Sequence, residues 1–206
     1  MWPLHDSSFP DDIEPLVNAI FDGTAICVCD GSYMPHLSES LGTAAWRLED
    51  PHSGIACFGK CQTSGAPVDV NAYRSELQGI HASLLAVSLL SRIANIERGA
   101  VTLGCDNETG VMMATSDWLK VGWNTKHADL VRGIRQLVSR LAARGINVTF
   151  VHVKGHQDLE MFYHHLPRMA QLNIDMDSVA KARLRALIQQ PQECCQAVFA
   201  EGWSCT

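Results

Sequence analysis

The chain has 206 residues, 47% of them hydrophobic, and a formal net charge of −6. That length suits one domain with short tails, and the apolar content supports a packed core rather than disorder. No apolar run reaches the length of a membrane span, and eight cysteines are too few for a disulfide scaffold, so a reducing, intracellular setting is expected and a membrane-spanning or stapled secreted protein is not.

Residues 1–22 are rich in Asp and Pro and read as an extension with a short helix at 13–21. The first 46 residues hold no Lys or Arg, so no secretory or mitochondrial leader is expected. Residues 24–30, TAICVCD, form a strand buried on both faces that ends on Asp30. Residues 42–49 and 54–62 read as its antiparallel neighbours, joined through a Pro- and Ser-containing loop at 32–41. A polar loop at 64–72 delivers Asn71 as the cap of a helix over 74–93, with Leu77, Ile80, Leu84, Val87 and Ile93 on its apolar side. A buried strand at 100–105 leads to Asp106, followed by a short helix at 107–114. Residues 125–143 are amphipathic: Leu130, Ile134, Leu137 and Leu141 recur at helical spacing, with Arg132, Arg135, Arg140 and Arg144 off the stripe. A last strand at 147–153, a loop at 155–167 and a helix at 168–188 complete the order β-β-β-α-β-α-α-β-α, which predicts an α/β fold: a mixed sheet with helices on both faces. Three segments follow, an extension at 1–22, a domain at 23–190 and a Cys-containing tail at 191–206 without assignment.

Charge is unevenly placed. Residues 1–70 hold ten acidic and two basic side chains, whereas 118–154 hold seven basic ones against Asp129 alone, so the second segment can offer phosphate a local positive surface. The alternative is an ordinary solvated helix face. Cys27, Cys29 and Cys105 lie in predicted core strands as small hydrophobes. With no Cys-x2-Cys pair and scattered histidines, a structural zinc site is not expected.

Asp30, Glu76, Asp106 and Asp177 are the candidate chemical centre. Two end apolar runs and two stand near helix starts, where a charge needs a partner or a task. Gathered together they would repel and titrate upward, and hard divalent cations would remove that cost. Asp175 is a nearby competitor for the last position.

The motifs around them appear in a fixed order: CDGSY at 29–33, GTAAW at 42–46, Arg74-Ser75-Glu76-Leu77, Asp106-Asn107, Lys154-Gly155-His156, and Asn173 four residues before Asp177. In that order and over residues 24–188 they resemble the ribonuclease H family, closest in wording to the ribonuclease H domain of retroelement reverse transcriptases. The resemblance implies a five-stranded mixed sheet with the first three strands antiparallel. It implies hydrolysis of the RNA strand of an RNA–DNA hybrid, leaving 5′-phosphate and 3′-hydroxyl ends. It also implies two Mg²⁺ ions, replaceable by Mn²⁺: Asp30 bridging both, Asp177 completing the nucleophile side, Glu76 and Asp106 holding the leaving-group side. His156 would assist proton transfer or product release. Gly31, Ser32, Asn71, Arg74, Gln78, Asn107 and Lys154 are the candidate substrate contacts, and the chain may be expected within a larger reverse transcriptase polyprotein. Ala72-Tyr73 replaces the family's usual Asn pair, and Glu108 stands where cellular enzymes often carry an amide. The segment SDWLKVGWNTK, with Trp118, Lys120, Trp123 and Lys126, occupies the place of the bacterial basic handle in shortened form. About 20 residues separate His156 from Asp177, an insertion with Phe162, Tyr163, His164 and His165. Another nuclease of the same fold, or a catalytically silent nucleic-acid-binding module, is the alternative. Transposases of this fold place Glu last, whereas here Glu is second.

Overall fold

The computed structural model describes residues 3–116, 120–122 and 124–189. Trp118, Trp123 and the tail at 191–206 lie outside the described residues. The elements in chain order are β1 (Asp6–Ser8), α1 (Glu14–Asp22), β2 (Ala25–Tyr33), β3 (Gly42–Glu49), β4 (Ala56–Gln62), α2 (Ala72–Ile93), β5 (Gly99–Cys105), α3 (Glu108–Thr115), α4 (Ala128–Ala143), β6 (Ile146–His152) and α5 (Arg168–Gln189).

The sheet runs β1-β4-β3-β2-β5-β6. β2, β3 and β4 form the antiparallel group, and β5 and β6 extend it in parallel. The sheet has six strands rather than the five expected, because the extension contributes β1, which pairs antiparallel with β4 from Asp6–Lys60 to Ser8–Phe58. Pairing covers the β4 edge, and an uncovered edge is a template for unwanted strand addition. The extension also supplies α1, with Leu16 and Ile20 fully buried. The extension thus packs onto the sheet and its core.

Alternation along the strands sorts the two faces. On one, Cys27, Cys29, Trp46 and Leu48 join the main core with Leu77, Ile80 and Leu84 of α2 and Leu130, Ile134, Leu137 and Leu141 of α4. The other belongs to α5, and β3 meets it with every second residue. Thr43 Oγ1 donates to the Ala180 carbonyl at 2.7 Å. Ala45 packs on Met176 and Ala180. Glu49 is 1% exposed and is held by Arg47 and by Arg168 at 2.7 Å each. Burial alone raises the Glu49 carboxyl, but the two arginines outweigh it and leave it lowered. These contacts fix the position of α5 along the sheet. Since Asp30 pairs with Ala45, its side chain faces α5 as well.

Asn71 caps α2 as expected, accepting from the Arg74 backbone N–H at 3.0 Å. Arg74 itself is 4% exposed. Its guanidinium makes a bidentate pair with Asp129 and donates to the Ser64 carbonyl, joining α2, α4 and the 63–71 loop. Replacing Arg74 by Ala should lower stability by about 2 kcal/mol, read in a urea melt, because a buried guanidinium that ties three segments together through charge-assisted bonds is lost.

The arginines of α4 are largely tied down. Arg132 reaches the Val121 carbonyl, Arg135 those of Met113 and Ser116, and Arg144 those of Ser91 and Ile96. Arg140, Lys120 and Lys126 are exposed. Three of the seven basic residues in the predicted segment thus brace α4 and its neighbours, and the other four stay on the surface.

Candidate active site

β2 does not end at Asp30. It continues to Tyr33, paired with Gly42, so Asp30 lies mid-strand and only 4% exposed. The strand expected to end on Asp30 runs three residues further because β3 keeps offering backbone partners. Gly31 is required for a different reason. A Cβ there would lie 2.5 Å from the Glu76 backbone nitrogen and from the Ser75 carbonyl carbon, so only glycine lets the first turns of α2 sit this close to β2. In return the Gly31 N–H donates to Glu76 Oε2 at 3.0 Å and aims that carboxylate.

The other two carboxylates arrive from the ends of elements. Asp106 follows the last residue of β5. Asp177 is on α5, one turn beyond Asn173, whose Nδ2 lies 3.4 Å from Asp30 Oδ2. A cleft of about 230 Å³ is lined by Asp30, Glu76, Asp106, Asp177, His156 and backbone around Gly31 and Ser32. All four expected carboxylates and the loop histidine therefore border one space. Asp175 does not; it accepts from the Tyr163 hydroxyl at 2.9 Å and anchors the 155–167 loop to α5.

The electrostatics are those of an under-neutralised acidic centre. Burial, then Asp106 and Asp177, push the Asp30 carboxyl up to about 8. Burial also raises Glu76 well above the ordinary range, followed by the neighbouring Cys105, Asp30 and Asp106. Asp106 is raised as well, chiefly by burial. Among the described residues no Lys or Arg ion-pairs with any of these three; Lys181 Nζ is 2.6 Å from Asp177 Oδ2, and its charge offsets the rise at Asp30 only in part. Buried negative charge without a counter-charge is what a bound cation corrects, and an all-oxygen donor set of this kind suits Mg²⁺ or Mn²⁺.

His156 sits in the left-handed region at φ 53°, and the loop before it approaches the site closely. A Cβ on Gly155 would lie 2.9 Å from Asp106 Oδ2. Gly155 thus passes close to a cleft carboxylate.

Of the expected substrate contacts, Gly31 and Ser32 line the cleft, and the structure does not bring the others into it. Asn71 caps α2 and meets His127; Arg74 is held by Asp129. Gln78 is 1% exposed and receives the Ser64 N–H and hydroxyl. Lys154 pairs with Glu160 on the surface. Asn107 caps α3 and borders a separate shallow pocket with Tyr73, Thr125 and Lys126. The sequence reading missed Lys181, Asp158 and the role of Asn173 beside Asp30. Lys181 alone had a readable signal, its spacing of four residues from Asp177 on one helix face. The insertion before α5 is anchored through Tyr163 and the buried Leu166, while Leu159 and Phe162 remain 83% and 75% exposed.

No family model matches the chain, and no curated protein matches it. Solved structures do. LC11-RNase H1, a protein isolated from compost by a metagenomic approach, matches in a complex with an RNA/DNA hybrid, at TM-score 0.56 and 11% identity over 80% of this chain and 99% of that one. The N-terminal RNase H domain of a Mycobacterium tuberculosis protein matches at TM-score 0.51 and 16% identity, covering 81% and 97%. This chain has the ribonuclease H fold. The ribonuclease H fold also relates it to the prototype foamy virus protease–reverse transcriptase, at TM-score 0.50 and 14% identity, over 77% of this chain and 20% of that longer one.

Proposed function

We propose that this chain is a divalent-metal-dependent ribonuclease H that hydrolyses the RNA strand of RNA–DNA hybrids, leaving 5′-phosphate and 3′-hydroxyl ends. One observation carries the reading: Asp30, Glu76, Asp106 and Asp177, distant in sequence, border a single cleft together with His156. The likeness in fold to RNase H1 proteins, one of them solved with an RNA/DNA hybrid, supports the choice of substrate.

Two Mg²⁺ ions, or Mn²⁺ in their place, would supply water activation and charge neutralisation at the scissile phosphate. Asp30, Glu76, Asp106 and Asp177 would hold them, with Asp30 shared, Asp177 on the nucleophile side and Glu76 and Asp106 on the leaving-group side. Gly31 holds Glu76 in orientation through its N–H, and Asn173 steadies Asp30. His156, exposed at the cleft, would carry a proton to or from the departing product. Gly31 and Ser32 present backbone and hydroxyl groups to a 2′-hydroxyl in the shallow minor groove of the hybrid. Residues 23–190 would carry this activity, in a retroelement polyprotein or a free-standing enzyme. No helix among the described residues is long and apolar enough to cross a membrane.

The test is cleavage of matched hybrid, double-stranded RNA and double-stranded DNA with Mg²⁺, with and without EDTA. Hybrid alone should be cut, and EDTA should stop it. Equal cutting of all three, or none of the hybrid with either Mg²⁺ or Mn²⁺, would reject the assignment. His156→Ala should lower kcat about 100-fold at neutral pH with little change in KM, measured on the same hybrid.

A further inference from the structure

We infer that Cys105, together with Glu76 and Asp106, forms a site for a thiophilic divalent cation such as Zn²⁺, overlapping the leaving-group side of the acidic centre. Its competitive consequence rests on the ribonuclease reading; the site itself does not.

One ligand atom from each of the three residues lies within 4.8 Å of the other two. Cys105 Sγ is 3.8 Å from Glu76 Oε2. Zinc bonds sulfur at about 2.3 Å and carboxylate oxygen at about 2.0–2.2 Å, so a tetrahedral S–O edge is about 3.6 Å. The observed spacing needs only a small closure. Local geometry explains the convergence. Cys105 is the last residue of β5 and fully buried beneath α2, and the chain leaves the sheet at Asp106. Strict alternation therefore lapses there, and neighbouring residues approach the same Glu76. The Asn107 N–H also donates to Cys105 Sγ at 3.4 Å, which fixes the sulfur beside the two carboxylates.

Cys105 differs in this from the other described thiols. Cys27, Cys57 and Cys61 lie in the apolar core, and Cys29 faces the Gly104 carbonyl. Only Cys105 among them contacts a carboxylate. Soft sulfur discriminates: Mg²⁺ has little use for a thiol, whereas Zn²⁺ and Cd²⁺ bind one strongly. On binding, the Cys105 S–H bond is replaced by a sulfur–metal bond and the proton passes to solvent. An ion seated there withdraws Glu76 and Asp106 from the hard cation, so trace Zn²⁺ inhibits the Mg²⁺-supported reaction.

The test titrates the full chain with Cd²⁺ and follows the thiolate-to-cadmium absorption in the ultraviolet, then adds excess Mg²⁺. In the unaltered chain and in Cys27→Ala, one component of the band should be displaced by Mg²⁺. In Cys105→Ala that component should vanish. Cys194, Cys195 and Cys205 are common to all three proteins, so the difference isolates Cys105. Glu76→Gln keeps the thiol while weakening the site; its displaceable component should also vanish, which covers the case that Cys105→Ala does not fold. In the hybrid assay, Cys105→Ala should need at least about tenfold more Zn²⁺ for equal inhibition. A displaceable band retained in Cys105→Ala, or none in the unaltered chain, overturns the inference. A displaceable band in a protein that cuts no hybrid keeps the site and rejects the ribonuclease reading instead.

Discussion

Asp30→Asn is expected to abolish hybrid cleavage and, at the same time, to raise the melting temperature of the metal-free protein. The two effects share a cause. Asp30 is buried, central to the acidic cluster, and lifted from 3.8 to about 8 by burial and by Asp106 and Asp177. At neutral pH the fold must either hold that proton or tolerate an unmatched buried charge. The folded carboxyl binds its proton more tightly than the unfolded one, so its contribution is most favourable below about pH 4 and is lost as pH rises toward 8. A difference of this size is worth several kcal/mol. Asparagine keeps the shape and an acceptor for Asn173 but removes the charge. Its melting temperature should rise by about 5 °C or more at pH 8 in EDTA, with little change at pH 4. Cleavage should fall more than about a thousandfold, because the central ligand is gone. Added Mg²⁺ should stabilise the unaltered protein and have less effect on the variant. A variant that melts below the unaltered protein at pH 8 in EDTA would contradict this view of the site.

Gly31→Ala should be the most damaging small substitution in the domain. The added methyl has no flexible side chain to push aside; it meets the backbone of Ser75 and Glu76 at 2.5 Å. Either α2 lifts from β2 or β2 bends, and both displace Glu76 from its Gly31 N–H. Overpacking against backbone costs about 3 kcal/mol or more, which lowers the melting temperature by about 8 °C in a domain of this size. Cleavage should be lost even well below the melting transition, since Glu76 is misplaced. Gly122→Ala is the control, as a Cβ there meets nothing within 4 Å. Circular dichroism melts and hybrid cleavage on the three proteins check it. An active, normally stable Gly31→Ala protein would mean that α2 packs less tightly on β2 than described.

The cleft carboxylates were legible because each lies in a local pattern that survives without coordinates. Asp30 and Asp106 close apolar runs, Glu76 follows Arg74 at a helix start, and Asp177 stands four residues after Asn173. The cap at Asn71 was readable for the same reason: capping is a contact between near neighbours. The substrate contacts were not. Gln78 and Arg74 are polar residues beside Glu76, and in sequence nothing distinguishes a side chain turned to the cleft from one turned to Ser64 or Asp129. Strand β1 was invisible because three residues of an edge strand carry no periodicity, and its pairing depends on where β4 leaves its edge.

By itself, then, the amino-acid order determined the succession of strands and helices and the identity of the acidic side chains, since periodicity, capping and short motifs are near-neighbour properties. Tertiary structure alone decided that β2 runs on past Asp30, that Gly31 and Gly155 are there for closeness, and that Cys105 meets Glu76. Those are meetings between residues far apart in the chain, and they follow from packing of whole elements rather than from any local preference.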